Sequence, residues 1–419
     1  MLYLKVARLK AILEFVAILL VVRTSANAQV AQAAVGGPLT VPLSGTLHYD
    51  VHYSISDWHQ AGRENQTTST VSGDAGYANT SERLPFNMNY GGGYNTVLAG
   101  PSEPGSFFQH LSLSQAIFGR KWNASASDDV GYYYQSPTTG FSGVPGTGDL
   151  NGSAPPSTPT NQSILSQNSR NVDNIASVNL ARKLDFATTF TLGGTATQLR
   201  FLDGNGLDTD TVSANAGLMR RLTARNTIGL QYSYSVYTFT DLNLSSHVNT
   251  AQGSFSRQWG PHLSTSVSAG PQWISSSDNG IIPASTRVAV SASLNDVFKF
   301  GRATLNYSQG MNGGSGLLIG AEADVVSGQF SRQFGRRVDV TMTGSYMRTS
   351  GLQNNGVTNT ELGGAQVTRR LGRYFSVYAA YTGISQSSTS ALSPNAIGGL
   401  IQVFTGGIGF TPREFQFRK

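Results

Sequence analysis

The chain has 419 residues, of which only 12% are charged, with 48 Gly, 20 Phe, 17 Tyr and no Cys. The lack of cysteine excludes a disulfide framework, a thiolate metal site and a lipoprotein anchor. A mean hydropathy of −0.17 excludes a helical membrane protein, and the Ser, Thr, Asn, Gln and Gly set between apolar residues are a strand vocabulary.

The first 28 residues read as a secretory signal peptide. Lys5, Arg8 and Lys10 form a basic n-region, and "AILEFVAILLVV" from Ala11 to Val22 forms an apolar stretch too short to span a bilayer as a helix. "SANA" ending at Ala28 supplies small residues for cleavage, so the mature chain is expected to begin at Gln29. The mature chain then carries 25 basic and 22 acidic residues, and much of the high pI resides in the removed segment. Residues 29–44 form a short N-terminal segment, and 45–419 are expected to form one domain.

The first strand is predicted from Thr46. In "TLHYDVHYSI" Leu47, Tyr49, Val51, Tyr53 and Ile55 alternate with His48, Asp50, His52 and Ser54. Period two over ten residues gives one apolar and one polar face. His48, Asp50 and His52 are metal-ligand types on one face. A polar lining explains them more simply, so neither a metal nor a cofactor is expected. Further strands are predicted to start near Gln66, Leu84, Ser106 and Lys121, although Gln66–Val97 is broken by glycine. Residues 136–168, rich in Pro, Ser and Gly, are too long for an ordinary connection.

From there a repeat governs the chain. Arg182, Arg220, Arg257, Asn295, Arg332 and Arg369 follow one another at intervals of 37 or 38 residues, and Asn295 marks a degenerate copy. Such a period marks one repeated structural unit. Each copy holds two long alternating runs and a tight break. "IGLQYSYSV" sets Ile228, Leu230, Tyr232, Tyr234 and Val236 against Gly229, Gln231, Ser233 and Ser235. After Arg337, Val338, Val340, Met342, Gly344 and Tyr346 alternate with Asp339, Thr341, Thr343 and Ser345. Runs of ~10 residues or more match a tilted strand crossing a membrane, whereas propeller blades hold four short strands. Strand starts are predicted near Arg170, Asp185, Thr209, Ala224, Ser246, His262, Thr286, Gly301, Gly320, Arg336, Thr360, Arg373 and Ala396.

The expected fold is all-β, a transmembrane antiparallel up-and-down β-barrel of about 18 strands, with 16 as the alternative count. Tight breaks at Gly119, Leu184, Leu222, Gly260, Lys299, Gly335 and Gly372 alternate with longer connections rich in Asp, Asn, Gly and Ser. Short turns on one side and long loops on the other place the tight breaks in the periplasm. Pro412 in "FTPREFQFRK" is expected to end the last strand at Phe410.

On these features the mature chain resembles the bacterial outer-membrane β-barrel porins. The resemblance covers nearly the whole chain and implies an outer-membrane location, lipid and assembly-machinery partners, and passive diffusion of small hydrophilic solutes. It leaves two alternatives: an export conduit for a secreted polysaccharide, and a non-conducting barrel that binds a ligand at the surface. No enzyme, phosphate-loop or nucleic-acid motif is found. Eighteen strands give a backbone diameter of ~36 Å, wide enough for an aqueous channel, and residues 136–168 are expected either to fold inward and narrow it or to stay at the surface. Candidate pore-lining residues are His48, Asp50, His52, Gln231, Asp339 and Thr341. Arg182, Arg220, Arg221, Arg257, Arg332, Arg336, Arg337, Arg369, Arg370 and Arg373 are expected to form a basic periplasmic rim. This rim anchors lipid headgroups, gathers anionic solutes, or does both.

Overall fold

The computed structural model describes residues 46–60, 64–79, 81–101, 105–135, 169–204, 206–278, 280–313, 318–353, 356–389, 398–413 and 415–416. The expected signal peptide, the segment 29–44 and the 136–168 connection lie outside the described residues.

The described chain forms eighteen long strands: β1 (Thr46–Gln60), β2 (Gln66–Asn79), β3 (Phe86–Ala99), β4 (Ser106–Phe118), β5 (Trp122–Gln135), β6 (Ser169–Lys183), β7 (Thr188–Phe201), β8 (Thr209–Arg221), β9 (Asn226–Phe239), β10 (Leu244–Gln258), β11 (Leu263–Ser276), β12 (Ser285–Phe298), β13 (Gly301–Asn312), β14 (Ala321–Phe334), β15 (Val338–Gly351), β16 (Val357–Arg370), β17 (Phe375–Ser388) and β18 (Gly399–Phe410). Each predicted start falls within three residues of an observed one. The glycine-broken region forms β2 and β3 with one register shift between Thr67 and Thr68, which decides the count for eighteen.

Each long strand pairs antiparallel with its chain neighbours, and β18 pairs back onto β1 from Val51↔Phe410 to Gln60↔Ile401. Closure leaves no long sheet edge unpaired. The tail adds one further pairing. Beyond the expected end at Phe410, Phe415–Gln416 forms a short β19 that meets Leu47 and Thr46 of β1, and Phe415 stacks on Tyr49 at 6.4 Å. Pro412 sits in the break between β18 and β19, where its missing N–H interrupts no ladder.

Alternation sets the two faces. Leu230, Tyr232 and Tyr234 on β9, Met342 and Tyr346 on β15, and Val51, Tyr53 and Ile55 on β1 are all exposed. Leu230 reaches 66% exposure although it lies inside a 14-residue strand. In water such a belt would be a large unpaired apolar surface; in lipid it is the solvated face. The opposite face carries hydroxyls and amides together with two buried apolar groups.

The turns at one end of the barrel are short and chemically specific. Gly335 opens the β14–β15 turn at φ 64°, a conformation that a side chain disfavours. In the β6–β7 turn, Asp185 Oδ1 accepts from the N–H of Ala187 and of Thr188, each at 2.6 Å. The Ala187 N–H, with help from Thr188 and Arg220, holds the Asp185 carboxyl below its ordinary range.

Two outcomes test this description. Met342 is 50% exposed on the outward face and lies deeper than Val340, the third residue of β15. Met342→Arg should therefore cost insertion about 2–4 kcal/mol, whereas Thr341→Arg, on the inward face, should be tolerated. Folding titrations into lipid vesicles that show equal effects would reverse the assigned facing. For the turn, a depressed carboxyl pKa contributes stability above the ordinary aspartate range and loses it as pH falls through the lowered value. Hydrogen exchange at Ala187 and Thr188 should thus be slow at neutral pH and accelerate, beyond its intrinsic pH dependence, once pH falls below the ordinary aspartate range. Asp185→Asn should remove that transition.

Candidate functional site: the barrel interior and its rim

The inward face is polar and accessible toward the short-turn end of the barrel. Ser266 bonds Ser293 at 2.7 Å and Ser268 bonds Ser291 at 2.8 Å, both across β11–β12 and both in exposed surroundings. The six candidate lining residues all fall on this face. Gln231 of β9 stands opposite Gln252 of β10. Thr341 of β15 stands opposite the buried Gln366 of β16. Asp339 accepts from Arg370 Nη2 at 3.2 Å. His48, Asp50 and His52 of β1 stand opposite Gly76, Asp74 and Ser72 of β2.

Toward the end with the longer connections the inward face becomes buried. Met347, Leu362, Ile384, Ile401 and Val403 pack together with Trp58 and Val325. Thr349, Thr358 and Thr360 are buried beside them. A second group joins Tyr237, Phe239, Leu244, Val248 and Ile274 of the β9–β11 wall to Ile282, Met311 and Leu352.

That second group shows how the interior is narrowed. Pairing of β13 with β12 ends at Val290↔Gln309, but pairing of β13 with β14 continues to Asn312↔Ala321. The described end of the β13–β14 hairpin, around Met311 and Glu322, thus leaves the wall and passes inside it. Met311 N–H donates to Gln272 Oε1 at 3.1 Å, and Tyr237 O–H donates to the Met311 carbonyl at 3.2 Å. Gln272 Nε2 in turn donates to Thr250 Oγ1, which fixes the amide. Arg287, on the inward face of β12, pairs with Glu322 of β14. Met311 and Glu322 occupy outward positions in their ladder, like Leu305 and Val326 below them. Here those positions meet the inner surface of β9–β12, as they must if the tip lies within the barrel.

Residues 136–168, expected either to fold inward or to stay at the surface, lie outside the described residues, and alternation along the chain gives no sign of the β13–β14 tip. Its signal in the sequence is aliphatic residues inside polar connections. Ile281, Ile282, Ile319 and Leu352 sit where a hydrated loop has no use for them, and Ile282 is fully buried.

The rim resolves the repeated arginines into two sets. Arg182, Arg220, Arg257, Arg332 and Arg369, the repeat marks, all occupy outward positions at the tight-turn ends of β6, β8, β10, β14 and β16. Arg182 lies over Trp122 at 4.6 Å, Arg257 over Trp259 at 4.1 Å and Arg332 over Phe334 at 4.9 Å. In each of the three a guanidinium lies on an aromatic face at the end of the apolar belt. Asn295 is out of phase: it lies on the inward face opposite Ser264, while Leu294 takes the outward place. The second set lies inward or in turns. Arg221 donates to the Phe186 carbonyl at 3.2 Å, Arg370 pairs with Asp339, and Arg336, Arg337 and Arg373 are exposed in tight turns.

No family model matches the chain, and no curated protein matches it. Among solved structures it is similar to OccAB4 of Acinetobacter baumannii at 10% identity and a TM-score of 0.44, covering 90% of this chain and 100% of that one. It is similar to OccK2 (OpdF) of Pseudomonas aeruginosa, solved in complex with glucuronate, at 10% identity and a TM-score of 0.43, covering 89% and 98%. OpdK of the same organism, solved with vanillate, gives 7% identity and a TM-score of 0.40, covering 88% and 99%. A closed antiparallel barrel of eighteen long strands, apolar outward and largely polar inward, is a porin-like barrel of the bacterial outer membrane.

Proposed function

We propose that the chain is a passive channel for small hydrophilic solutes, narrowed near its extracellular end by the β13–β14 tip. The observation that carries this reading is the change along the inward face. Accessible hydroxyls and amides run up from the periplasmic end and give way to buried groups where the tip meets the β9–β12 wall. A solute without charge trades water for hydroxyl and amide partners at little cost along such a face. Gln231, Thr341, Asp339 and the β1 trio His48, Asp50 and His52 are the proposed solute-facing groups. Lipid anchoring falls to the outward arginines, and any gathering of anions falls to Arg221, Arg336, Arg337, Arg370 and Arg373.

Planar-bilayer recording tests the reading, and a barrel that stays electrically silent overturns it. Glu322→Gln removes the counter-charge of Arg287 and should weaken docking of the tip by about 1.5–3 kcal/mol. Single-channel conductance should then rise, with more open-state noise; unchanged conductance would remove the tip as the narrow point.

Rim charges act over a Debye length, ~30 Å at 0.01 M salt and ~3 Å at 1 M. If the inward set gathers anions, reversal potentials should show anion preference at low salt that fades as salt rises. Replacing Arg336, Arg337, Arg370 and Arg373 by Gln should reduce that preference without closing the channel. Unchanged selectivity with lower assembly yield would leave these four as lipid anchors alone.

A further inference from the structure

The inward faces of β1 and β2 carry a constellation that neither the tip nor the rim uses. Asp50 and Asp74 stand directly opposite each other across the β1–β2 ladder. Like charges in that relation destabilise a hairpin, and nothing in barrel closure calls for them. His48 and His52 flank Asp50 two residues to either side, so all four side chains share one face. His52 Nε2 lies 3.0 Å from Asp50 Oδ1, and His48 Nε2 lies 3.9 Å from Asp50 Oδ2. One ligand atom each from His48, Asp50 and Asp74 fall within 4.8 Å of one another.

The surroundings hold His52 in place and leave room beside Asp74. A Cβ at Gly409 of β18 would come within 2.7 Å of His52 Nδ1, so only glycine lets the ring lie there. Tyr378 of β17 meets the same ring edge-on at 6.3 Å. Opposite His48 stands Gly76 and opposite Asp74 stands Gly91, so neither position projects a side chain over the carboxylates, and Asn89 leans over Gly76 with its Oδ1 3.3 Å from where a Cβ would stand.

We propose that His48, Asp50 and Asp74 bind a divalent transition-metal cation of Zn²⁺ type from the barrel interior. His52 acts as a positioning residue that turns the Asp50 carboxylate so that Oδ2 faces His48. One imidazole and two carboxylates are a zinc-type donor set, and three protein ligands leave a coordination position for water. Metal–ligand bonds of ~2.0–2.2 Å bring tetrahedral ligand atoms to roughly 3.3 Å from one another. Side-chain rotation covers the difference from 4.8 Å without moving the ladder. Mg²⁺ and Ca²⁺ favour all-oxygen shells, so the imidazole discriminates against them. A bound dication also removes the repulsion between the opposed carboxylates. The other His–Asp pairs, His59 with Asp57 at 3.1 Å and His110 with Asp129 at 3.7 Å, have no third ligand in such a group among the described residues.

The test uses the untagged full chain, folded in detergent and stripped with a chelator, titrated with ZnCl₂ in a calorimeter. One saturable site is expected, with no comparable heat from MgCl₂. Asp74→Asn and His48→Gln should each weaken binding at least tenfold, His52→Gln less, and His110→Gln not at all. Heat-modifiable migration on gels checks that each variant is folded. Zn²⁺ should raise the melting temperature of the parent barrel but not of the Asp74→Asn variant. Absence of saturable binding, or binding that survives Asp74→Asn, overturns the site. Because the readout is binding rather than conductance, the result stands apart from the proposed channel activity.

Discussion

Inside a bilayer a backbone N–H or C=O without a partner costs several kcal/mol, and no water is present to serve as one. A strand-built membrane protein must therefore bond its last strand to its first. The β18–β1 ladder from Val51↔Phe410 to Gln60↔Ile401 is the element on which the rest depends. It forces an even count of long antiparallel strands, because two neighbours joined by a hairpin run in opposite directions. It also gives the tail a use: where β18 stops short of the start of β1, Phe415 and Gln416 pair with Leu47 and Thr46.

Closure also fixes where each side chain goes. Once the ladders are in register, odd and even positions face opposite media, and a slip of one residue would exchange them all. The repeated arginines follow from this. Each hairpin brings the chain back to the same depth on the same outward face, so a basic residue that anchors one hairpin recurs once per hairpin. Aromatic rings under Arg182, Arg257 and Arg332 hold three of these guanidinium groups at the boundary of the apolar belt. The copy at Asn295 fails because it falls one residue out of phase, on the inward face.

What could be read from the sequence follows the range of the interactions involved. Strand starts and facing depend on alternation within about ten residues, so β1, β9 and β15 were legible from Val51, Leu230 and Met342 alone. The inward position of His48, Asp50 and His52 followed from the same pattern. Asp74 did not, because only the β1–β2 register sets it opposite Asp50. The tip was likewise hidden. Its placement depends on where β13 parts from β12, a competition between one ladder and a set of interior side chains far away in sequence. Tyr237 and Met311 are 74 positions apart and Arg287 and Glu322 are 35 apart, and no local pattern ties either pair.

That competition also explains how a wide barrel is narrowed. Side chains on eighteen strands cannot fill the interior, so narrowing it takes part of the chain, and any backbone that leaves the wall must find new partners. The β13–β14 hairpin does this at small cost, because β13 keeps its ladder with β14 up to Asn312↔Ala321 and gives up only its bonds to β12. Met311 regains both lost functions from side chains, its N–H from Gln272 and its carbonyl from Tyr237. The Arg287–Glu322 pair then ties the displaced tip to the strand it left. A wall ladder of many bonds tolerates the loss of one. The tip hangs on a few side chains, so a change of one residue in this set should alter the aperture while the barrel itself stays intact.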